Sequence, residues 1–180
     1  MMGWVSIRRM NQVETIGTGK FLQLVKLGRW EYVERVRANH AAIIVAVTPE
    51  QKLLMVEQYR VPVQARTIEL PAGLIGDEPG DPEESAAAAA GRELWEETGY
   101  AAGHLEVLTT GASCSGITSE RVTLFRATEL QRTGTGGGVA NEEITVHEIP
   151  LTEVTDWLVA QAGGGRLIDP KVYAGLHFIR

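Results

Sequence analysis

The sequence predicts an α/β domain in which a mixed β-sheet is enclosed by helices. Three observations lead there. The run "AAIIVAVT" is continuously apolar, as a strand buried on both faces would be. Strand-like and helix-like segments mix without a regular βαβ repeat. From Asp81 the apolar spacing changes to a helical period in mid-chain.

Residues 1–38 read as an N-terminal hairpin region and 39–180 as the main domain. "FLQLVKL" and "WEYVERV" alternate in short apolar runs, and Gly28 with Arg29 marks the turn between them. "AAIIVAVT" stops at Pro49, and "KLLMVEQYR" after a short polar turn is expected to be its hairpin partner. "TIELPAG" reads as a brief strand entering a loop. "DPEESAAAAAGRELWEET" has Asp81 as the expected N-cap, Pro82 in the first turn, Glu84 three residues after the cap, and five helix-favouring alanines. Gly99 is placed to end this helix in the left-handed conformation. Strands are expected over "HLEVLTT", "RVTLFRAT" and "EITVHEIPL", with the glycine-rich "GTGGG" between the last two as a mobile linker. "LTEVTDWLVAQAGGG" and "DPKVYAGLHFIR" supply two more helices, the second again opening on Asp-Pro.

The 180 residues suffice for one core without disulfides, and 44% hydrophobic with 22% charged residues is ordinary globular composition. A single cysteine, Cys114, forms no internal bridge and favours a reducing compartment. No stretch approaches the roughly 18 apolar residues of a membrane span, and "MMGWVSIRRM" lacks a secretory apolar core, so a cytoplasmic location is expected. A net charge of −6 argues against a broad nucleic-acid interface while leaving room for a small phosphorylated ligand. His40, His104, His147 and His177 show no ligand spacing.

The informative stretch is "GRELWEETGY". On a helix Glu93 and Glu97 stand one above the other, with Glu96 to one side and Arg92 four residues before it. Like charges at that spacing repel, and acids near a helix C-terminus oppose its dipole. One reading is a solvated face with a single ion pair. The other is a divalent cation, which would remove both objections, since hard carboxylate oxygens suit Mg²⁺ or Mn²⁺.

"RELWEETGY", with "ELPAG" upstream, resembles the conserved box of the Nudix hydrolases. Glu84 falls at the box's first glutamate, and Gly73 matches its glycine if five extra residues lie in the loop "LIGDEPGDPE". The resemblance implies an α/β/α sandwich and a Mg²⁺-dependent enzyme, Mn²⁺ serving as an alternative. By resemblance Glu93, Glu97 and the Ala72 carbonyl are metal ligands. Glu96 is a further ligand, or an acid behind them oriented by Arg92. An ideal helix carries Glu84 away from this edge, so capping competes for it.

Flanking motifs resemble the ADP-ribose pyrophosphatase branch. In "GRWEYVERV" the resemblance places Trp30 on an adenine face and Glu31 at its edge, with Arg35 and Arg60 (from "EQYR") toward the diphosphate. "SCSGITSE" resembles a loop carrying a substrate-binding glutamate, here Glu120, with Ser115 where proline is usual. "TGTGGGVANEEI" resembles a loop bringing in a catalytic base, Glu142 or Glu143. The implied reaction splits ADP-ribose or a related nucleoside diphosphate sugar into a nucleoside monophosphate and a sugar phosphate, in a homodimer built through the N-terminal strands. The alternatives are GDP-mannose or a nucleoside triphosphate as substrate, or a sensor that binds ADP-ribose without cleaving it.

Overall fold

A computed structural model describes residues 12–38, 40–76, 84–139 and 143–179. The chain begins with a three-stranded antiparallel sheet of β1 (Glu14–Thr18), β2 (Leu22–Leu27) and β3 (Trp30–Arg35). Gly28 closes the expected β2–β3 hairpin at φ +62°, a left-handed value that costs glycine no Cβ clash. β1, "ETIGT", is polar enough to escape notice in the sequence. Val25 is buried, whereas Ile16, Leu22, Leu24 and Trp30 stay exposed. β3 is tied to a later loop, Val33 N–H donating to Ile117 O at 2.8 Å and Ser119 N–H to Val33 O at 3.3 Å.

The strands β4 (His40–Ala46), β5 (Lys52–Arg60), β6 (Ala65–Glu69) and β7 (Ala72–Leu74) lead to helix α1 (Ala86–Thr98). Then come β8 (Tyr100–Ala101), β9 (His104–Ala112), β10 (Arg121–Thr128), β11 (Gln131–Arg132) and β12 (Thr145–Pro150). The chain closes with α2 (Val154–Gly163), β13 (Leu167–Ile168) and α3 (Pro170–His177). One mixed sheet has the order β7-β4-β10-β9, with β10 parallel to β4; another has the order β12-β5-β6-β13, with β13 parallel to β6. The architecture is the expected mixed α/β. The very short β8, β11 and β13 carried no sequence signal of their own.

The hairpin expected between β4 and β5 is corrected. The chain does turn tightly, Gln51 N–H donating to Thr48 O, and Val47 bridges Leu53. Beyond that the strands part into different sheets. Both edges of β4 are taken by β7 and β10, so β5 pairs with β6 and β12 instead.

Alternation along β4 divides the core. Ile43 and Val45 pack with Leu53, Met55, Ile68, Leu158 of α2 and Val172 of α3. Ala42, Ile44 and Ala46 pack with Ala90 and Leu94 of α1 and with Phe125. Leu94 is fully buried, and its truncation to alanine would cost about 2–5 kcal/mol.

The ends of α1 differ from expectation in two ways. Its N-cap is Ser85, whose Oγ accepts from Ala88 N–H at 3.2 Å; Asp81 lies outside the described residues. Gly99 ends the helix as expected, at φ +77°. The "GTGGG" run is not a free linker, because Gly137 and Gly138 N–H donate to the Glu97 and Glu96 carbonyls at 2.8 and 3.0 Å. It satisfies the otherwise orphaned carbonyls of the last helical turn. Gly136, at φ +66°, lies so close to the helix end that a Cβ there would meet Thr98 C at 2.5 Å.

Candidate active site

The crowded carboxylates of α1 are organised by Arg92. Its Nη1 donates to Glu93 Oε1 at 2.8 Å and to Glu96 Oε2 at 3.2 Å. Its Nε and Nη2 grip the two oxygens of Glu84 at 3.0 and 3.2 Å, a charge-assisted bidentate pair. Glu84 therefore belongs to the cluster, contrary to the geometry expected of a helix starting at Asp81. It precedes the Ser85 cap, so helical periodicity does not apply to it. Arg92 holds the Glu84 carboxyl below its ordinary pKa, burial opposing and the Gly76 N–H assisting. The Arg92 pKa is raised in turn, first by Glu84, against burial, and then by Glu93.

Two carboxylates fasten α1 to β7. Glu97 is 4% exposed, and its Oε2 accepts from Ala72 N–H at 3.0 Å. Glu93 lies directly over Gly73, where an added Cβ would fall 1.8 Å from Glu93 Cδ. The glycine of "PAG" is thus required by the close approach of a carboxylate. Among the described residues no three His, Cys, Asp or Glu side chains form a ready-made metal cage. The available donors are all hard oxygens set against a backbone strand, which fits Mg²⁺, an ion that usually takes only one or two carboxylates and completes its shell with water and phosphate.

Arg60, at the end of β5, lines a cavity of about 380 Å³ with Thr67, Glu69, Asp169 and Lys171. Its Nε and Nη2 take both oxygens of Glu69 at 2.7 and 2.6 Å, and Thr67 Oγ1 donates to the same carboxylate. Burial pushes the Glu69 pKa up, but the hydrogen bonds of Arg60 and Thr67 outweigh it and leave the carboxyl below its usual range. Arg60 is raised chiefly by Glu69, against burial, and also feels the charges of Glu97 and Asp169. Sequence reasoning missed Glu69. Its signal was a lone acid in the otherwise apolar "TIELPAG".

The remaining expected residues are brought together in part. Arg35 Nε donates to Glu120 Oε1 at 2.6 Å, joining β3 to the start of β10. Trp30 and Tyr32 line a cavity of about 290 Å³ with Leu27, Ser115, Gly116 and Thr118. Glu31 is exposed and, by strand alternation, points to the opposite face of β3 from Trp30. A neighbouring cavity of about 410 Å³ shares Ser115 and Thr118 and reaches Glu120. Glu143 is 89% exposed and pairs with Arg66 at 3.3 Å; Glu142 lies outside the described residues. His40 bonds Thr123 and His147 bonds Glu57, as framework residues would. Cys114 is exposed.

A carboxylate-rich helix seated on a glycine-containing strand at the edge of a mixed sheet defines a Nudix-type domain. The chain belongs to the Nudix family: the NUDIX domain model matches residues 38–169. It is 37% identical over 123 residues to an ADP-ribose pyrophosphatase of Bacillus subtilis (strain 168), covering 65% of this chain and 64% of that one. It is 32% identical to a GDP-mannose pyrophosphatase of Pectobacterium atrosepticum, over 75% and 69% of the two chains. It is also 30% identical to a methanol dehydrogenase activator of Bacillus methanolicus, over 99% and 96%. Among solved structures it resembles one described as an ADP compounds hydrolase, with a TM-score of 0.65, 27% identity, and coverage of 83% and 81%. The protein is a Nudix hydrolase related to the ADP-ribose and GDP-mannose pyrophosphatases. No described helix is long and apolar enough to cross a membrane.

Proposed function

We propose that this chain hydrolyses the diphosphate of ADP-ribose, or of a related nucleoside diphosphate sugar, to a nucleoside monophosphate and a sugar phosphate. The observation that supports this most is the seating of Glu93 on Gly73 beside Glu97 on the Ala72 amide, which pre-forms an anionic edge on rigid elements.

Mg²⁺ or Mn²⁺ would be held by Glu93, Glu97 and the Ala72 carbonyl, with Glu96 as a further ligand or a supporting acid. When bound it would offset phosphate charge and acidify the attacking water. Arg92 holds Glu84, Glu93 and Glu96 in place. Arg60 offers guanidinium N–H groups to the diphosphate, and Arg35, gripped by Glu120, does so from the other side. Trp30 stacks on the base, while Glu31 serves the base edge only from a neighbouring subunit or after a turn of its side chain. The proton of the attacking water passes to Glu142 or Glu143. The exposed apolar residues of the β1–β3 sheet fit a homodimer interface.

The test is a panel of nucleoside diphosphate sugars and nucleoside triphosphates with Mg²⁺ and Mn²⁺, following phosphorylated products. ADP-ribose should give AMP and ribose 5-phosphate. Glu97→Gln, which keeps an oxygen for the Ala72 amide, should lose at least a hundredfold in turnover with its thermal midpoint little changed. An inert wild-type protein with every substrate and metal would overturn the reading, and tight ADP-ribose binding without product would replace it with a sensor. Two relatives favour second readings. The GDP-mannose pyrophosphatase likeness, with Ser115 in the cavity wall, favours another sugar, which the same panel decides. The full-length likeness to a methanol dehydrogenase activator favours action on a dehydrogenase, tested by adding the protein to a purified methanol dehydrogenase and following its rate.

A further inference from the structure

We infer that Glu69 is a positioning residue for phosphate recognition, holding Arg60 back along β5 toward the short stretch of backbone whose Ala72 amide seats Glu97. The inference rests on the reading of the site as one for a diphosphate.

The register makes the case. Arg60 ends β5 and pairs with Ala65, whereas Glu69 pairs with Val56, four residues back along the strand. Four extended residues span about 13 Å, so the two side chains meet only if the arginine lies almost fully extended along the sheet face. An arginine at a strand end has no reason of its own to do this, because solvent beyond the strand is open to it. Glu69 supplies the reason: it is 7% exposed and binds Nε and Nη2 together. Thr67 fixes the carboxylate from its own strand. The planar grip uses one edge of the guanidinium, and among the described residues Nη1 makes no hydrogen bond. Glu69 lies three residues before Ala72, whose amide holds Glu97, so the orienting acid and the helix acids share one short piece of backbone. The arginine is thus held by one carboxylate near the backbone that seats another, with an edge left for an anionic oxygen.

The pairing also warns against the simple alanine variant. Arg60→Ala would strand a buried carboxylate and could unfold the protein for reasons unconnected with substrate. Glu69→Gln is the better probe, since its amide keeps one acceptor but turns an NH₂ toward the guanidinium and breaks the bidentate grip. The experiment measures kcat and KM of wild type, Glu69→Gln, Glu69→Asp and the Arg60→Ala/Glu69→Gln double variant at a temperature where each is folded. In parallel, calorimetry measures the affinity of each for inorganic pyrophosphate with Mg²⁺.

Glu69→Gln should raise KM and weaken pyrophosphate binding about tenfold, with kcat changed less than threefold. Glu69→Asp should recover part of the loss. The double variant should bind little worse than Glu69→Gln, because a mispositioned arginine has little left to lose. Unchanged KM and pyrophosphate affinity in Glu69→Gln overturn the inference, even if its melting temperature falls, and so does a further full loss in the double variant. A wild type that binds pyrophosphate but hydrolyses no diphosphate ester ends the reading of function, and the affinity series alone then decides the role of Glu69. A wild type that binds no pyrophosphate overturns the role as well.

Discussion

Gly73→Ala separates damage to the site from damage to the fold. The added Cβ would sit 1.8 Å from Glu93 Cδ, 2.0 Å from Oε1 and 2.4 Å from Cγ. Ordinary contact begins at 3.4 Å, so the carboxylate must retreat by about 1.6 Å. The obstructing atoms are the far end of a flexible side chain, not backbone, so rotation of Glu93 relieves the clash. The structural cost should therefore lie at the low end of overpacking, about 1 kcal/mol. For a chain of this size that lowers the melting temperature by about 2–4 °C. Function has no such escape. A displacement of about 1 Å in a reacting constellation can cost on the order of a hundredfold, and here the displaced group is the one proposed to hold the cation. We expect kcat to fall at least a hundredfold in a protein whose melting curve is nearly that of wild type. Steady-state hydrolysis and thermal unfolding on the same preparation provide the measurement. Activity within threefold of wild type would refute the role of Glu93. A fall of 15 °C or more would refute the premise that the carboxylate can step aside.

Gly136→Ala should destabilise far more, because its Cβ would meet rigid backbone, Thr98 C at 2.5 Å and Glu97 O at 2.8 Å, at φ +66°. A loss of roughly 2–5 kcal/mol follows from overpacking plus left-handed strain; an unchanged melting temperature would restore the linker reading, with Gly111→Ala, which meets nothing within 4 Å, as the control. Trp30→Ala should raise KM for an adenine substrate about 5- to 150-fold, the equivalent of about 1–3 kcal/mol of stacking, without moving the melting temperature, since Trp30 is 55% exposed; equal losses for all bases would argue against stacking. For pH, Glu57, Glu69 and Glu84 all have pKa values depressed by folding. Their stabilisation is fully present above the ordinary glutamate value of about 4.3 and is lost as pH falls through the folded values. Urea midpoints should hold from pH 7 to about 5 and fall below about 4.3, and Glu84→Gln should be less stable at pH 7 with a shallower acid slope. A slope unchanged by that substitution would contradict the Arg92–Glu84 linkage.

What was legible in the sequence divides along physical lines. β4, α1 and the α3 cap announce themselves because burial and capping act on neighbouring residues, and "AAIIVAVT", "RELWEETG" and "DP" carry those demands locally. The acidic motif was legible for the same reason, its offsets being fixed by one helix. Glu84 was misplaced because the cap is Ser85, four residues later than Asp81, and a shift of one turn takes it off the helix. The parting of β4 from β5 was invisible because it depends on β7 and β10 claiming both β4 edges, a fact about distant segments. Glu69 was missed likewise, since its partner stands nine residues away across a hairpin. The glycine-rich stretch from 134 to 138 reads as freedom in the sequence, whereas Gly136 is glycine because the helix end leaves no space there for a side chain.

In the sequence Glu93, Glu96 and Glu97 repel one another with little beside them as an offset. In the folded protein one guanidinium contacts Glu84, Glu93 and Glu96 at 2.8 to 3.2 Å and relieves much of that strain. Four carboxylates gather beside one arginine, and the nearby Arg60–Glu69 pair is neutral in sum. Surface acids could relax such crowding by turning into water. Glu97 cannot, being 4% exposed and held by a backbone amide, and Glu93 rests between Arg92 and the bare Cα of Gly73, a seat that only a glycine leaves open. Rigidity, not repulsion, is therefore what points to a cation: the fold spends a glycine and a buried glutamate to hold carboxylate oxygens along one strand, and an ordinary solvated helix face would need neither.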